Sequence, residues 1–461
     1  MASPIKLKLR TAGLNGGSLG TGSGLSIGGG PVITRESMGM HIGRIAPTTI
    51  WGDYSVTAAE NYHQIPFPDM GIGSVRLWDS DGCSWRNIER SQGVFTWDRL
   101  DYAVAQAELH GAKIVITLGC GPDWATTNPG QMPGLYVGYN PWPPSSNAYW
   151  TNWCAAVATR YAGKGIAYET WNEVNDQVSG PGVSGSGYMG SAESLVTLSQ
   201  LARSTISAID STAIFLTPNF VNQDGITGGP SITVSLDAYL AAGGGAYADV
   251  VSVHVYNTCA PWPHPEGAIT MAKRVRDTCA KYGVDLPMWN TEWGYGQWVD
   301  SSGAFKSAPG SSPYPYAMPP QMGADYITRM LILSWTGGFE RMFFYGLDAS
   351  DSYATIVMVD PTSDIGAATL QTPALAYKAY AEMFVGGRIS ALRQLVSSGS
   401  AYYRASVSSP VHGDGYVYWC DDYKTASVDV SGCRKVVDNL GAVSVAVSTL
   451  AVSSSPKFIF F

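Results

Sequence analysis

Short apolar runs alternate with longer amphipathic stretches from about residue 36 to residue 382. Apolar runs of four to eight residues between turn signals are typical of buried strands, whereas apolar residues spaced three or four apart are typical of helices. Helical stretches occur at residues 100–110, 193–209 and 269–282. The eight candidate strands are residues 39–42, 74–78, 113–118, 167–171, 213–218, 250–255, 288–292 and 341–345.

Strand and helix alternating eight times predict an α/β fold in which a parallel sheet closes into a (β/α)8 TIM barrel. The rival is an open, doubly wound sheet. That fold usually carries a glycine-rich turn after its first strand, and no G-x-G-x-x-G opens a helix here. The barrel is therefore the favoured interpretation.

The pattern changes at about residue 385 to short β runs separated by turns, which predicts a C-terminal antiparallel β-sandwich. At the other end, residues 5–10 alternate apolar and basic residues as a strand does, and residues 11–30 are rich in Gly and Ser. Three parts follow: residues 1–35 with a strand that could join the sandwich, a catalytic barrel at 36–384, and the sandwich at 385–461. The β runs are residues 388–396, 401–407, 415–420, 425–430, 434–438, 442–448 and 457–461.

Composition narrows the classes of partner. The chain has 28 Lys and Arg against 36 Asp and Glu, a net charge of −8, and no basic run, so nucleic-acid binding is not expected. Its 15 Trp and 26 Tyr exceed its 12 Phe. Rings with a polar group suit the stacking and hydrogen bonding of sugars, although a large core with Trp-rich edges explains the same excess.

Targeting signals are sparse. Residues 1–10 hold no apolar run of a secretory signal peptide, so the chain as given is expected in the cytoplasm, or outside it if a leader was removed. No apolar stretch approaches the roughly 20 residues of a membrane span. The 7 Cys include no CxxC pair, so free thiols are favoured over disulfides, with Cys259–Cys279 and Cys420–Cys433 as the possible local pairs. No assembly signal indicates an oligomeric state.

Candidate chemistry lies at the ends of the predicted strands, because barrels of this kind take their catalytic groups from the carboxyl ends of strands. In strand order these residues are His41, Arg76, Trp78 and Asp79, Asp123 and Trp124, Asn172 and Glu173, His254 and Tyr256, Asn290 and Glu292, and Tyr345.

Glu173 and Glu292 end the fourth and seventh predicted strands and can face each other across the barrel mouth. Cleavage of a glycosidic bond requires such a pair, since one carboxyl protonates the leaving oxygen and the other attacks the anomeric carbon or activates a water. A single Glu after a strand is more often a capping or ion-paired residue. The conjunction of Trp-Asn-Glu, His-x-Tyr and Trp-Asn-Thr-Glu-Trp-Gly favours a site.

These motifs resemble a known family. Trp171-Asn172-Glu173 and Thr291-Glu292-Trp293-Gly294 are similar to the acid/base and nucleophile signatures of the retaining glycoside hydrolases of clan A. The wider pattern is similar to glycoside hydrolase family 39 over residues 36–385, and PslG-type bacterial exopolysaccharide hydrolases are closer than β-xylosidases. The motifs that carry it are Arg76-Leu77-Trp78-Asp79, Leu118-Gly119, Pro122-x-Trp124-Ala125 and His254-Val255-Tyr256.

The resemblance implies a role for each matching residue. Glu173 is the general acid/base and Glu292 the nucleophile, and Asn172 donates to the substrate 2-hydroxyl. Arg76 and Tyr256 are donors that keep Glu292 ionised. His41 and His254 are expected to hydrogen-bond the −1 sugar or to orient Glu173.

Aromatic residues near the barrel mouth are the expected sugar platforms, and each has core packing as its alternative. Trp124, Trp293 and Trp298 follow the third and seventh strands, and the aromatic, Pro-rich loop 136–149 is a candidate cleft wall. Many clan members place a Trp at the end of the eighth strand, where this chain has Tyr345. Asp79 completes the expected substrate contacts.

The predicted function is therefore a retaining β-glycoside hydrolase that acts internally on a bacterial exopolysaccharide or a similar polysaccharide, without a cofactor or metal. The alternatives are an exo-acting, β-xylosidase-like glycosidase and a non-catalytic carbohydrate-binding protein. A metal hydrolase is less favoured, because the 6 His include no H-E-x-x-H pair, and no Lys on the sixth strand offers Schiff-base chemistry.

Overall fold

The computed structural model describes residues 31–43, 45, 67–78, 80, 82–130, 140–175, 177–180, 183–221, 232–256, 265–294, 318–347, 356–359, 369–397 and 399–461. The first strands are β1 (Met38–Met40), β2 (Ser74–Leu77), β3 (Lys113–Thr117), β4 (Ala167–Glu169), β5 (Gln177–Gly180), β6 (Val183–Ser186), β7 (Ile214–Leu216), β8 (Phe220–Val221), β9 (Val251–His254), β10 (Met288–Trp293) and β11 (Phe339–Phe344). The helices are α1 (Trp85–Ile88), α2 (Asp98–Leu109), α3 (Asn147–Arg160), α4 (Ala192–Ile209), α5 (Ile232–Ala241), α6 (Gly267–Lys281), α7 (Pro320–Gly337) and α8 (Thr372–Phe384).

Nine of these strands form one parallel sheet in the order β7-β4-β3-β2-β1-β11-β10-β9-β8. The sheet closes where Leu216 of β7 bridges Val250, next to β9, in parallel register. The backbone N–H of Thr217 donates to the Val250 carbonyl at 3.0 Å across this seam. The predicted TIM barrel is thus confirmed, and its fifth to eighth strands are β7, β9, β10 and β11.

The barrel helices α4 and α7 begin and end at sequence signals. In α4, the Ser191 side chain accepts a hydrogen bond from the Ser194 N–H at the first turn. Its buried residues include Leu195, Leu198, Ala202 and Ile206, spaced as one helical face. Later in the chain, α7 begins at Pro320 and ends before Gly338, whose φ of 92° only glycine adopts readily.

In the barrel part of the chain, two strand features were not predicted. The strands β5 and β6 pair as an antiparallel hairpin in the connection between β4 and α4. The strand β8 lies four residues beyond β7 and pairs with β9. Both are short, and the sequence around β5 and β6 is rich in Gly and Ser, which hides a strand pattern.

The C-terminal residues form the predicted antiparallel sandwich of a six-stranded and a two-stranded sheet. The six-stranded order is β12-β13-β14-β19-β16-β17, and β15 pairs with β18. The run predicted at 442–448 holds only β17, and β18 was missed. These strands are β12 (Arg388–Ser397), β13 (Ser400–Ser409), β14 (Gly413–Trp419), β15 (Ala426–Asp429), β16 (Lys435–Asp438), β17 (Val443–Val445), β18 (Thr449–Val452) and β19 (Lys457–Phe460).

The six-stranded sheet has two buried faces, and strand alternation sorts the residues between them. Val417 and Trp419 of β14 join the barrel core, as do Phe458 and Phe460 of β19. Tyr418 and Ile459, each between two of these, instead face the two-stranded sheet. One layer thus shares its core with the barrel helices on one side and with β15 and β18 on the other.

Six cysteines lie among the described residues and all are buried free thiols, so Cys420 and Cys433 are not bridged. Cys259 of the other possible pair lies outside the described residues, as do the predicted N-terminal strand 5–10 and the segment 11–30.

The longest of the described helices, α4 and α7, have 18 residues each, and no described helix has the length and apolar character of a membrane span.

Candidate active site

Glu173 lies at the carboxyl end of β4 on a backbone turn that the surrounding residues fix. Its φ of 39° is in the left-handed region, which is costly for a non-glycine residue and is often found at functional positions. The Glu173 N–H donates to Asn219 Oδ1 at 2.5 Å, and Asn219 follows β7. Gly187 passes so close that a Cβ on it would lie 1.9 Å from the Glu173 carbonyl oxygen. The backbone around Glu173 is therefore held by two other segments.

Glu292 lies near the end of β10, where the register with β9 shifts between Asn290 and Glu292. Its two oxygens have different donors. Arg76 Nη1 of β2 donates to Oε2 at 2.9 Å, and the Tyr256 hydroxyl donates to Oε1 at 2.6 Å. Hydrogen bonds to the charged form and a nearby cation both favour the ionised carboxylate.

The two carboxyl groups meet across the barrel mouth at His254 of β9. The His254 Nδ1 lies 2.9 Å from Glu173 Oε1 and 3.8 Å from Glu292 Oε2. One oxygen of each Glu and a nitrogen of His254 all lie within 4.8 Å of one another. Both Glu are buried, at 8% and 6% exposure. The structure therefore brings together the two carboxylates that the sequence singled out.

A third carboxylate, Glu169 of β4, lies beneath this pair and was not predicted. Its Oε2 accepts hydrogen bonds from Arg76 Nε at 2.9 Å, from Arg76 Nη2 at 2.6 Å and from Thr117 Oγ1 at 2.8 Å. Its Oε1 accepts one from Ser252 Oγ at 2.5 Å. Burial acts to raise the pKa of Glu169, but the charge of Arg76 and the hydrogen bonds hold that pKa below its usual value.

Arg76 is thus fully buried between two carboxylates. Its Nη2 also donates to Asn172 Oδ1 at 2.7 Å. That bond fixes the Asn172 amide so that Oδ1 faces Arg76. Asn172 Nδ2 is a buried donor with no hydrogen-bond partner in the part of the chain that is described, so it is available to a ligand.

Two further predicted residues border the site. His41 Nε2 lies 2.9 Å from the Thr291 carbonyl oxygen, beside Glu292. The Tyr345 ring packs edge-on against His41, with centroids 5.4 Å apart, and Tyr345 is half-buried.

Tyr256, the phenol bonded to Glu292, keeps its proton. Burial and the charge of Glu292 raise the pKa of Tyr256 well above its usual value, so its hydroxyl remains a donor.

The predicted platforms lie in different places. Trp293 is fully buried against Phe344. Its role as a sugar platform stays a prediction. Trp124 is half-buried at the barrel rim, where it packs against Tyr149 at 5.2 Å. Asp79, Trp298 and residues 136–139 of the predicted cleft wall lie outside the described residues.

Glu173, His254 and Glu292 are also the one group of three among the described residues with a geometry that could hold a metal ion. Two carboxylates and an imidazole suit a divalent transition metal. The guanidinium of Arg76 bonds Glu292 directly, however, and its positive charge opposes a second cation there. The donor set fits proton transfer and nucleophilic attack better than metal binding.

Two groups that support the site were missed in the sequence. Asn219 accepts a hydrogen bond from the Glu173 N–H, and Glu169 accepts hydrogen bonds from Arg76. Neither residue belongs to a recognisable motif. The one available signal is that Glu169 is a charged residue in an otherwise apolar barrel strand, two positions before Trp171.

Comparison with solved structures relates the fold to glycoside hydrolases. A family 39 glycoside hydrolase from the gut symbiont Bacteroides cellulosilyticus WH2 matches with a TM-score of 0.56 at 16% sequence identity, over 85% of this chain and 76% of that chain. The GH39 enzyme from Xanthomonas axonopodis pv. citri matches with a TM-score of 0.53 at 13% identity, over 85% and 88% of the two chains. A GH30 endoxylanase from Clostridium papyrosolvens C71 gives 0.51 at 13% identity, over 86% and 91%.

The chain therefore has the fold of these glycoside hydrolases, and the family 39 resemblance is confirmed at the level of the fold. No protein-family model and no curated protein sequence matches the chain.

Proposed function

We propose that the protein is a retaining β-glycoside hydrolase that cleaves a β-linked polysaccharide by double displacement. The observation that carries the proposal is the pair of buried carboxylates, Glu173 and Glu292, with oxygens within 4.8 Å of each other. Carboxyl groups about 5–5.5 Å apart are typical of retaining enzymes, whereas inverting enzymes need about 6.5–9.5 Å to admit a water.

The surroundings of the two groups give each a role. Glu292 is bonded by a guanidinium and a phenol, so it is the carboxylate that stays ionised and attacks. Glu173 Oε1 lies 2.9 Å from His254 Nδ1 and faces the same space as Glu292, whose negative charge favours the protonated form of Glu173. It is therefore the group that carries a proton at the start of the cycle.

In the first step, an oxygen of Glu292 forms a bond to the anomeric carbon as the bond from that carbon to the leaving oxygen breaks. Glu173 gives its proton to the leaving oxygen. In the second step, Glu173, now a carboxylate, takes a proton from water, and the water oxygen displaces Glu292 from the anomeric carbon. Two displacements on opposite faces retain the anomeric configuration.

Asn172 contributes most when charge develops on the sugar. Its Nδ2 is the donor left open by the bond from Arg76 to Oδ1, and we assign it to the substrate 2-hydroxyl. Such a bond strengthens in the oxocarbenium-like transition state. We place His41 and Tyr345 at the rim of the same sugar.

The substrate is a polysaccharide cut internally, as the sequence motifs of exopolysaccharide hydrolases indicate. The lengths of the released oligosaccharides test internal cleavage separately from the roles of the two carboxylates. An endo-acting enzyme releases a range of oligosaccharides early in digestion, whereas release of monosaccharide from the first minutes would assign an exo-acting, β-xylosidase-like enzyme.

The two carboxylates are tested with Glu173→Gln and Glu292→Gln against Glu382→Gln, an exposed glutamate on α8. On polysaccharide, loss of the acid/base is expected to lower kcat by about 10²–10⁴-fold, because proton transfer contributes that much. Glu173→Gln should still release the leaving group of a nitrophenyl glycoside, since that group needs no proton, whereas Glu292→Gln should not. Glu382→Gln should match the wild type.

Full activity in both Gln variants on a substrate that the wild type cleaves would contradict the proposal. So would a first-formed anomer, followed by NMR, that is inverted relative to the substrate.

A further inference from the structure

A cleft of about 760 Å³ lies on the outer wall of the barrel, apart from the two catalytic carboxylates. One side is residues 89–97, which precede α2, and the other is the outward face of α3. The residues of α3 that line the cleft are spaced three and four apart, so they share one face of the helix: Tyr149, Asn152, Ala155, Ala156, Thr159 and Arg160. Small side chains at the centre of this face leave the space open.

Four half-buried rings line the cleft, two from residues 89–97, one from α3 and one from the segment after β3. Trp124 and Tyr149 pack edge-on with centroids 5.2 Å apart, and Phe95 and Trp97 stack at 5.4 Å. The rings are held in place before any ligand binds, because Trp124 Nε1 donates to the Glu89 carbonyl at 3.0 Å and Trp97 stacks on the buried Trp153. Rigid aromatic walls reduce the entropy cost of binding.

The polar groups of the cleft point to a neutral ligand. Both oxygens of the buried Glu89 carboxylate are used, one by Trp85 Nε1 at 2.7 Å and one by the Gly93 N–H at 2.8 Å. Arg160 is paired with Asp101, and its guanidinium packs over the Trp97 ring at 5.2 Å. Amide and hydroxyl groups of Gln92, Asn152 and Thr159 remain as donors and acceptors. Rings together with uncharged hydrogen-bonding groups match a sugar chain better than an anionic ligand.

The cleft is connected to the catalytic site through the segment that follows β3. Gly119 packs beneath Trp171, two residues before Glu173, with room for no Cβ because the ring would lie 2.4 Å away. The same segment continues to Trp124 at the cleft. The segment after β3 therefore contacts both the turn that carries Glu173 and the cleft.

We propose that this cleft is a second carbohydrate-binding site, which holds a stretch of the polysaccharide outside the catalytic centre. The inference rests on the proposed function for its ligand class, but it concerns binding and not bond cleavage. Its occupant is a neutral β-linked glycan chain.

The test fills the cleft without removing any contact. Ala156→Trp places a ring in the space between α3 and the four aromatic residues, and Ala208→Trp places the same ring on the exposed face of α4 as the matched control. Each change is made in the full chain, with and without Glu292→Gln. The probes are soluble xylan, xyloglucan and mixed-linkage β-glucan, in affinity electrophoresis and, where a polymer is cleaved, in steady-state kinetics.

For a polymer that the protein binds, Ala156→Trp is expected to weaken retardation in the gel at least threefold and Ala208→Trp to leave it unchanged. For a polymer that is cleaved, the KM should rise by a similar factor, while kcat/KM on a nitrophenyl glycoside stays the same because that substrate occupies only the catalytic centre.

Binding of the polymer by Ala156→Trp at wild-type strength would overturn the second site, as would the lack of binding to all three polymers. Neither result bears on the catalytic proposal, which fails separately if the wild type cleaves no glycoside. A fall in nitrophenyl glycoside activity in Ala156→Trp alone would also contradict the assignment, because it would place the cleft within the catalytic centre.

Discussion

Tyr256 holds one oxygen of Glu292 while Arg76 holds the other, so removing a single hydroxyl tests how the proposed nucleophile is positioned. Tyr256→Phe keeps the ring and loses one hydrogen bond to a charged group, a bond worth about 1.5–3 kcal/mol. A fall in kcat/KM of about 10–100-fold is expected. The exposed Tyr423→Phe is the control and should show no change.

A second prediction for Tyr256 concerns the pH dependence of kcat/KM. Because burial and Glu292 raise the pKa of Tyr256 well above its usual value, the phenol keeps its proton through neutral and moderately alkaline pH. The alkaline limb of kcat/KM therefore reports another group and should lie at the same pH in Tyr256→Phe. Disappearance of that limb in the variant would show that Tyr256 itself titrates there.

Glu169 is a buried counter-charge, and its contribution should appear in the acid stability of the fold. A carboxyl whose pKa is lower in the folded than in the unfolded chain stabilises the fold above its unfolded pKa, about 4.3. That stabilisation is lost as the pH falls through the folded pKa. Glu169→Gln leaves Arg76 short of one partner and is expected to cost about 3–5 kcal/mol at pH 7.

The measurement is urea unfolding of Glu169→Gln, the wild type and Glu382→Gln between pH 7 and pH 3. The difference between Glu169→Gln and the wild type should shrink below about pH 4, while Glu382→Gln follows the wild type throughout. A difference that is constant over the whole range would mean that Glu169 has the same pKa in the folded and unfolded chains.

At the scale of the elements, the turn after β4 is fixed by the segment that precedes α4. Gly187→Ala would place a methyl group 1.9 Å from the Glu173 carbonyl oxygen, so the backbone of Glu173 must move. A displacement of about 1 Å at a catalytic group can cost about 100-fold in rate, and a loss of that order in kcat is expected. Gly337→Ala, in the last turn of α7, meets only Ala272 at 3.1 Å and Ile269 at 3.5 Å and serves as the control.

Circular dichroism and the thermal midpoint show whether Gly187→Ala is folded when its rate is measured. A folded Gly187→Ala protein with wild-type kcat would mean that the position of Glu173 does not depend on this contact.

The elements themselves show where sequence patterns suffice. All eight barrel strands were predicted within a few residues, because each is an apolar run between helical stretches. The hairpin of β5 and β6 was missed, and so were β8 and β18. The two residues of β8 are too few for an alternating pattern to stand out. The pairing of β8 with β9 and of β18 with β15 comes from neighbours that are distant in sequence.

At the scale of the whole molecule, a buried ionic cluster joins the barrel to the sandwich. Arg329 of α7 is fully buried, donates to both oxygens of Glu266 at 2.9 and 2.6 Å, and is bonded to Asp422 of the sandwich. Trp419 Nε1 of β14 donates to Glu266 at 2.8 Å. The two parts therefore share charges as well as an apolar core.

Arg329→Met is expected to destabilise the protein by about 3–5 kcal/mol, since it leaves two carboxylates buried without their cation. Calorimetry should show one transition for the wild type, because the sheet face that packs on the barrel unfolds with it, and a lower midpoint for the variant. Arg341→Met is the comparison, as its partner Glu36 is partly exposed and that pair should contribute less. Two separate transitions in the wild type would mean that the barrel and sandwich unfold independently.

The sequence alone determined the barrel, the sandwich and the two carboxylates, because apolar periodicity and strand-end motifs are local properties of the chain. The resemblance to clan A enzymes already implied that Arg76 and Tyr256 donate to Glu292, and the tertiary structure added Glu169 and the distances among these groups. Arg76, Tyr256 and Glu169 act on the site from segments far apart in sequence, and no local pattern encodes a distance of 2.6 or 2.9 Å between their side chains and the carboxylates.

Only the tertiary structure shows which tryptophans lie in the core and which lie at a surface. Six of the tryptophans that the structure describes, including Trp85, Trp150 and Trp171, are fully buried in the core, whereas Trp97 and Trp124 are half-exposed in the outer cleft. Burial of a ring depends on what packs against it, and the sequence does not record that.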